Sequence, residues 1–268
     1  MLEKLSLDGR VAVVTGGGGG LGTAISLALA EAGADIIITD FRPEAGEHTV
    51  AEVIALGRRA VFLPADVTKS VEVNSMMAKA ISQWGRVDIL VNGAGIVREE
   101  AGGDVTTKPF WELTDHDWHL GIDTNLTGAF FCSRAVTKHM VERKYGKIIN
   151  ISSGFGLRGL RNGFMYCAAK AGVIGLTSSL SLTIARYGIR VNAIAPGLYH
   201  TLATEEMYKT AAKFTPMGRA GEPREVGELA VYLASNASDY VTGEVYITDG
   251  GALASGVAPT GYVPIITI

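Results

Sequence analysis

The chain has 268 residues, 47% of them hydrophobic, and a formal net charge of −3. That composition supplies a sizeable core and gives no basic footprint for nucleic acid. Met1 to Gly9 lacks a basic-then-apolar leader and no run of about 18 apolar residues is read, so the expectation is a cytoplasmic protein without a membrane partner.

In chain order, strands are predicted at 11–15, 35–39, 60–64, 88–92, 147–152, 189–194 and 244–248, and helices at 20–32, 43–57, 70–84, 114–143, 165–187 and 223–234. Thr114 with Asp117 reads as a capping box, and Gly57, Gly85 and Gly188 follow helix ends. Strands alternating with helices, with no linker between, predict a single α/β domain over 1–268. It is a doubly wound Rossmann fold around a central parallel sheet of about seven strands, and 252–268 form a C-terminal tail. Cys132 and Cys167 fall in helical segments and read as thiols rather than a disulfide.

The most informative stretch is Val11 to Gly22, an apolar run that breaks into Gly16-Gly17-Gly18-Gly19-Gly20-Leu21-Gly22 and resumes as a helix pattern. Five consecutive glycines also fit a flexible segment, but the strand before and the helix after them select a turn at a helix N-terminus. Unpaired N–H groups and the positive end of the helix dipole there suit a pyrophosphate. The next strand ends in Asp40-Phe41. A carboxylate about 20 positions past the glycines is placed to accept from the adenosine ribose hydroxyls and to repel a 2′-phosphate. The expected cofactor is therefore NAD. Arg42 reads as a solvated surface arginine beside Asp40, with partial compensation toward a 2′-phosphate as the alternative.

In an open parallel sheet, ligands lie across the carboxyl ends of the strands. Those ends carry Asp66-Val67, Asn92-Gly93-Ala94-Gly95, Asn150-Ile151-Ser152-Ser153 and Pro196-Gly197, with Tyr166-Cys167-Ala168-Ala169-Lys170 downstream. Tyr166 and Lys170 stand four apart and share a helix face. A tyrosine of ordinary pKa, about 10, is a weak base at neutral pH, and a fixed ammonium beside it favours the phenolate.

From about Leu7 to Gly251 the chain resembles the classical short-chain dehydrogenase/reductase family, which pairs a Thr-Gly-x-x-x-Gly-x-Gly turn with Ser, Tyr-x-x-x-Lys and an upstream Asn. The resemblance implies hydride transfer between a secondary alcohol and NAD, with Tyr166 as general base or acid and Ser153 on the substrate oxygen. It further implies that Lys170 binds the nicotinamide ribose and that Asn125 anchors a relay water. Implied cofactor contacts are Gly16, Gly18, Gly20, Leu21 and Gly22 at the pyrophosphate, Asp40 and Phe41 at the adenosine, and Asp66 and Val67 at the adenine. Asn92, Ala94 and Gly95 follow at the ribose, with Pro196, Gly197 and Thr201 at the nicotinamide amide. Gly93 departs from the usual Asn, and Gly18-Gly19 from the Ser-Arg of NADP-using relatives.

Candidate substrate residues are Arg98, Arg158 and Arg161, which suit an anion, and His200 on the lid side. With polar pocket loops, a sugar, polyol or sugar acid is the favoured substrate. A 3-oxoacyl-carrier-protein reductase is the alternative, weighed against Asp40, Gly19 and Leu182, and a catalytically silent NAD-binding protein is a third reading. His116 and His119 lack a third ligand, so no metal site is expected. In the resembling family the two long helices and the last strand form twofold contacts, which implies a homotetramer.

Overall fold

The computed structural model describes residues 2–96, 109–201 and 205–254. The expectations placed on Arg98 and on the tail from residue 255 onward lie outside the described residues.

The elements are β1 (Val11–Thr15), α1 (Gly20–Glu31), β2 (Asp35–Thr39), α2 (Pro43–Ala55), β3 (Ala60–Phe62), α3 (Ser70–Trp84), β4 (Ile89–Asn92), α4 (Asp115–Ile122), α5 (Gly128–Arg143), β5 (Gly146–Ile151), α6 (Phe164–Ile184), β6 (Ile189–Pro196), α7 (Glu205–Ala212), α8 (Pro223–Ala234) and β7 (Val245–Thr248). All strands run parallel in one seven-stranded sheet of order β3-β2-β1-β4-β5-β6-β7. Strand order reverses between β1 and β4, which opens a crevice above their carboxyl ends.

Side chains alternate between the two faces of a strand, and here both faces are covered, so the strands read as continuous apolar runs. Ala12, Val14, Ile36, Ile38, Ile89 and Val91 pack on one side with Ile25 and Leu29 of α1 and Val226 and Leu233 of α8. Val11, Val13, Ile37 and Leu90 pack on the other with Val73 and Met77 of α3 and Val136 and Met140 of α5.

The helix expected over 114–143 is helical throughout from Asp115 to Arg143, but it is not regular. The capping box of Thr114 and Asp117 starts α4, and a π turn over Asp123–Thr127 separates it from α5. The apolar periodicity of the stretch gives no sign of one widened turn. Gly85 and Gly188 end their helices with φ of 70° and 83°. The short helix α7 was not expected. The helix over Phe164–Tyr187 is long and apolar enough to cross a membrane by length and composition, which differs from the expectation of no such run. Its buried Val173, Thr177 and Ser181 pack inward, and it contacts β5 and β6.

Candidate active site

The glycine turn is built as the sequence suggests. Gly16 has φ +66°, and a Cβ there would stand 2.8 Å from Ala94 Cα. A Cβ at Gly22 would run into the Gly16 carbonyl, so α1 approaches the turn this closely only with glycine. The first bond of α1 runs from Thr23 N–H to Gly19 O at 2.7 Å, which leaves the N–H groups of Gly20, Leu21 and Gly22 ahead of it at the positive end of the helix. Thr201 closes in from across the crevice, its Cγ2 lying 2.7 Å from where a Cβ on Gly20 would be. This cradle fits a dinucleotide, with the pyrophosphate on the first turn of α1.

Four catalytic candidates converge at the carboxyl ends of β4 and β5. Lys170, buried on α6, donates from Nζ to Ile151 O at 2.9 Å, and Nζ lies 5.5 Å from the centroid of the Tyr166 ring. Ser153, 6% exposed, accepts at Oγ from Phe155 N–H at 3.1 Å, which leaves its own O–H as a donor. Ser152 Oγ donates to Lys170 O at 2.8 Å and ties the strand end to the helix. Asn125 sits in the π turn, a feature that recurs at functional sites. Its Nδ2 donates to Ile96 O and Gly121 O at 3.1 and 3.0 Å, and its Oδ1 accepts from Ile96 N–H at 3.3 Å. Gly95 lies between them, since a Cβ there would stand 2.8 Å from Asn125 Oδ1 and 3.2 Å from Lys170 Nζ.

The other predicted residues divide. Asn92 is turned inward, with Nδ2 donating to Asn150 Oδ1 at 2.7 Å and to Ser133 Oγ at 3.0 Å. Asp66 Oδ1 caps its own turn, accepting from Thr68 N–H and Oγ1 at 2.9 and 2.7 Å. Val67 is buried against Gly128 at the start of α5. Phe41 is exposed beside the cradle, and Pro196-Gly197 end β6 with Gly197 N–H bonded to Thr248 O at 2.9 Å. Gly93 packs against Thr15 O.

Arg42 adds to an expectation. Its side chain is half exposed, as a surface arginine's would be, yet it is also paired with Asp40, Nε to Oδ1 at 3.1 Å, and that bond is the first cause raising its pKa. Arg158 and Arg161 are both exposed, and Arg158 donates to Ala252 O at 3.4 Å. His200 stacks on Tyr208 with ring centroids 4.1 Å apart and stands 3.9 Å from Glu222.

Two groups near the site went unread in the sequence. Tyr208 of α7 accepts from Thr201 N–H at 2.7 Å. Asp249 accepts from Gly251 and Leu253 N–H at 2.9 and 2.7 Å, which holds Leu253 against Gly154, next to Ser153. Asp249 follows β7 directly, so the same rule that picked out the other strand ends would have found it. A cavity of about 540 Å³ lined by Leu198, Met217, Ile247 and Asp249 holds none of the four catalytic candidates.

The arrangement suits proton exchange with a hydroxyl at Tyr166, beside the charge of Lys170, with the Ser153 O–H available to a substrate oxygen. A nicotinamide dinucleotide bound in the cradle would supply the hydride acceptor or donor.

Comparison with known proteins identifies the family. A family model described as Enoyl-(Acyl carrier protein) reductase matches residues 17–252. The chain is 38% identical over 249 residues to a 3-oxoacyl-(acyl-carrier-protein) reductase of Synechocystis, covering 92% of this chain and 98% of that one. It is 38% identical over 262 residues to 2-dehydro-3-deoxy-D-gluconate 5-dehydrogenase of Escherichia coli, covering 95% and 99%. A solved gluconate 5-dehydrogenase from Burkholderia cenocepacia, in complex with NADP and tartrate, superposes with a TM-score of 0.86 at 35% identity, over 94% of this chain and 98% of that one. With the parallel seven-stranded sheet, the glycine turn and the Ser153, Tyr166 and Lys170 set in one site, the chain belongs to the classical short-chain dehydrogenase/reductase family, as an oxidoreductase of alcohols and carbonyls.

Proposed function

We propose that this protein is an NAD-dependent dehydrogenase of a secondary alcohol, with a sugar, polyol or sugar acid as substrate. The observation that carries the reading is the convergence of Tyr166, Lys170, Ser153 and Asn125 beside one glycine cradle. In this mechanism Tyr166 takes the hydroxyl proton, Ser153 orients the oxygen, Lys170 holds the ribose and lowers the cost of the phenolate, and Asn125 anchors a relay water. Asp40 at the end of β2, and the absence of an arginine at Gly19, support NAD over NADP. The sugar-acid preference draws on similarity to the gluconate-series relatives, with Arg158 or Arg161 as partners of a carboxylate.

The enzyme works as a homotetramer with twofold symmetry. Support comes from α5 and α6, where Phe130 and Leu182 are 42% and 85% exposed, apolar surface that a second copy would cover. A cytoplasmic setting suits a diffusible dinucleotide and two unpaired cysteines. The similarity to a carrier-protein reductase favours a second reading, reduction of a 3-oxoacyl thioester. One experiment separates the two: NAD reduction is followed with D-gluconate, 2-keto-3-deoxygluconate, glucitol and cyclohexanol, and NADH and NADPH oxidation with acetoacetyl-CoA. Turnover of an acidic sugar with NAD supports the first reading, turnover of acetoacetyl-CoA alone the second.

A further inference from the structure

Past β6 the backbone is anchored step by step until it faces the cradle. Gly221 N–H donates to Leu198 O and His200 N–H to Gly221 O, both at 2.9 Å, and the Tyr199 hydroxyl donates to Thr248 O of β7 at 3.0 Å. Thr201 comes next, and it is the residue that closes on Gly20 at the first turn of α1. Its N–H leaves that run of backbone bonds and donates to the phenol oxygen of Tyr208 at 2.7 Å. Tyr208, on α7, is 6% exposed. The His200 ring lies against it, with centroids 4.1 Å and planes 36° apart. The phenol is thus held on its face by His200 and joined at its oxygen to Thr201.

The structure assigns Tyr208, backed by His200, as a positioning residue that sets Thr201 over the dinucleotide. The assignment rests on the reading of the glycine turn as a nicotinamide dinucleotide cradle, in which Thr201 faces the part of the cofactor beyond the adenosine. A residue that meets a ligand from a loop contributes most when its place is fixed beforehand, because ordering it on binding costs free energy. Backbone bonds fix Leu198 and His200, and the Tyr208 hydroxyl extends that hold by one residue, to the one that faces the cofactor. A phenol oxygen accepts from an N–H and keeps its own O–H as a donor. Phenylalanine, equal in ring and burial, supplies no such acceptor. His200 thereby takes a different part from the substrate contact expected of it: its ring meets Tyr208, and it acts on the cofactor through Tyr208 and Thr201.

The test is titration of the full chain with NADH, followed by fluorescence, and with AMP, followed by calorimetry. Wild type, Tyr208→Phe, Thr201→Ala and the double variant are compared, with thermal melting to check folding. AMP carries the adenosine and one phosphate and stops short of Thr201. Tyr208→Phe is expected to raise the NADH Kd about threefold to tenfold, the loss of one hydrogen bond, and to leave the AMP Kd within about twofold of wild type. In the Thr201→Ala background the same substitution is expected to change the NADH Kd less than about twofold, because the residue it positions has lost the side chain that faces the cofactor. An unchanged NADH Kd, an equal rise for AMP, or a full effect that persists without the Thr201 side chain overturns the assignment. If Tyr208→Phe fails to fold, His200→Ala takes its place: a rise of at least about twofold for NADH alone is expected, and no rise overturns the assignment. Wild type that binds neither NADH nor AMP overturns the cradle itself, and wild type that binds AMP but not NADH overturns the nicotinamide reading.

Discussion

Asp40 and Asp88 are two buried carboxylates at opposite ends of the same sheet, each gripped by arginine, and they do different things. Asp88, just before β4, accepts from Arg86 Nε and Nη2 at 2.7 and 2.8 Å, Arg143 Nη2 at 2.8 Å and Val11 N–H at 3.0 Å. Burial pushes its pKa up, but the bonds from Arg86, Arg143 and Val11 outweigh burial and leave it below the usual carboxylate range. Its neighbour Lys147, 2% exposed, closes on Ser238 Oγ and Asp239 Oδ1. At that amino-terminal edge Asp88 holds two strands and α5 together. Asp40, after β2, has one arginine and that arginine is half exposed. Asp88 is held by two arginines and a backbone N–H and acts as a rivet; Asp40 is held by two backbone N–H groups and one half-exposed arginine, on the side of the sheet where ligands lie.

The comparison predicts that damage at the carboxyl edge costs chemistry, while damage at the amino edge costs stability. Lys170→Ala carries the largest expected effect: turnover falls by at least about a hundredfold, and NADH binding weakens too, because the lysine is proposed to serve both Tyr166 and the ribose. Steady-state kinetics with fluorescence titration reads both, and a variant that loses only cofactor affinity would detach Lys170 from the proton path. Asp88→Ala removes the centre of a buried pair network and is expected to destabilise by roughly 3 kcal/mol. Urea unfolding measures that loss, and turnover per folded molecule should stay within about twofold of wild type. Arg158→Ala should raise KM about threefold to tenfold for acidic substrates only, the loss of one charge-assisted bond. An equal rise for neutral ones would mean that the arginine merely clamps the turn at Ala252.

The smallest expected effect is a pH dependence at the amino edge. His139 Nε2 accepts from Val87 N–H at 3.2 Å and must be neutral to do so. Burial and then the Arg143 charge lower its pKa below the ordinary 6.5. The unfolded chain therefore takes up the proton first. Stability from this contact is complete above about pH 6.5 and declines as the pH falls toward the folded value. Melting temperatures from pH 7.5 to 5 should show this decline, and His139→Gln should flatten it while leaving turnover at pH 7.5 unchanged.

What could be read in the sequence was local. The glycine turn, the four-residue spacing of Tyr166 and Lys170, and the helix-ending Gly85 and Gly188 all declare themselves within a few positions. What could not be read depends on distant contacts. Leu253 reaches Gly154 across almost 100 positions, and the inward turn of Asn92 follows from Asn150 and Ser133 on neighbouring elements. Arg42 and Asp40 are two apart, yet nothing in that spacing says whether the guanidinium faces water or the carboxylate. The π turn at Asn125 interrupts a pattern that periodicity reads as one helix, and α7 is too short and too polar to stand out from a loop.

The central claim is that Tyr166 exchanges the proton while the rest of the site holds cofactor and substrate. Tyr166→Phe keeps the ring and removes only the hydroxyl, so the direct test is turnover and NADH affinity of that variant beside wild type, on the best alcohol from the substrate screen. The account predicts a fall in kcat of at least about a hundredfold, with the NADH Kd changed less than about threefold and the melting temperature preserved. Near-normal turnover in that variant would contradict it.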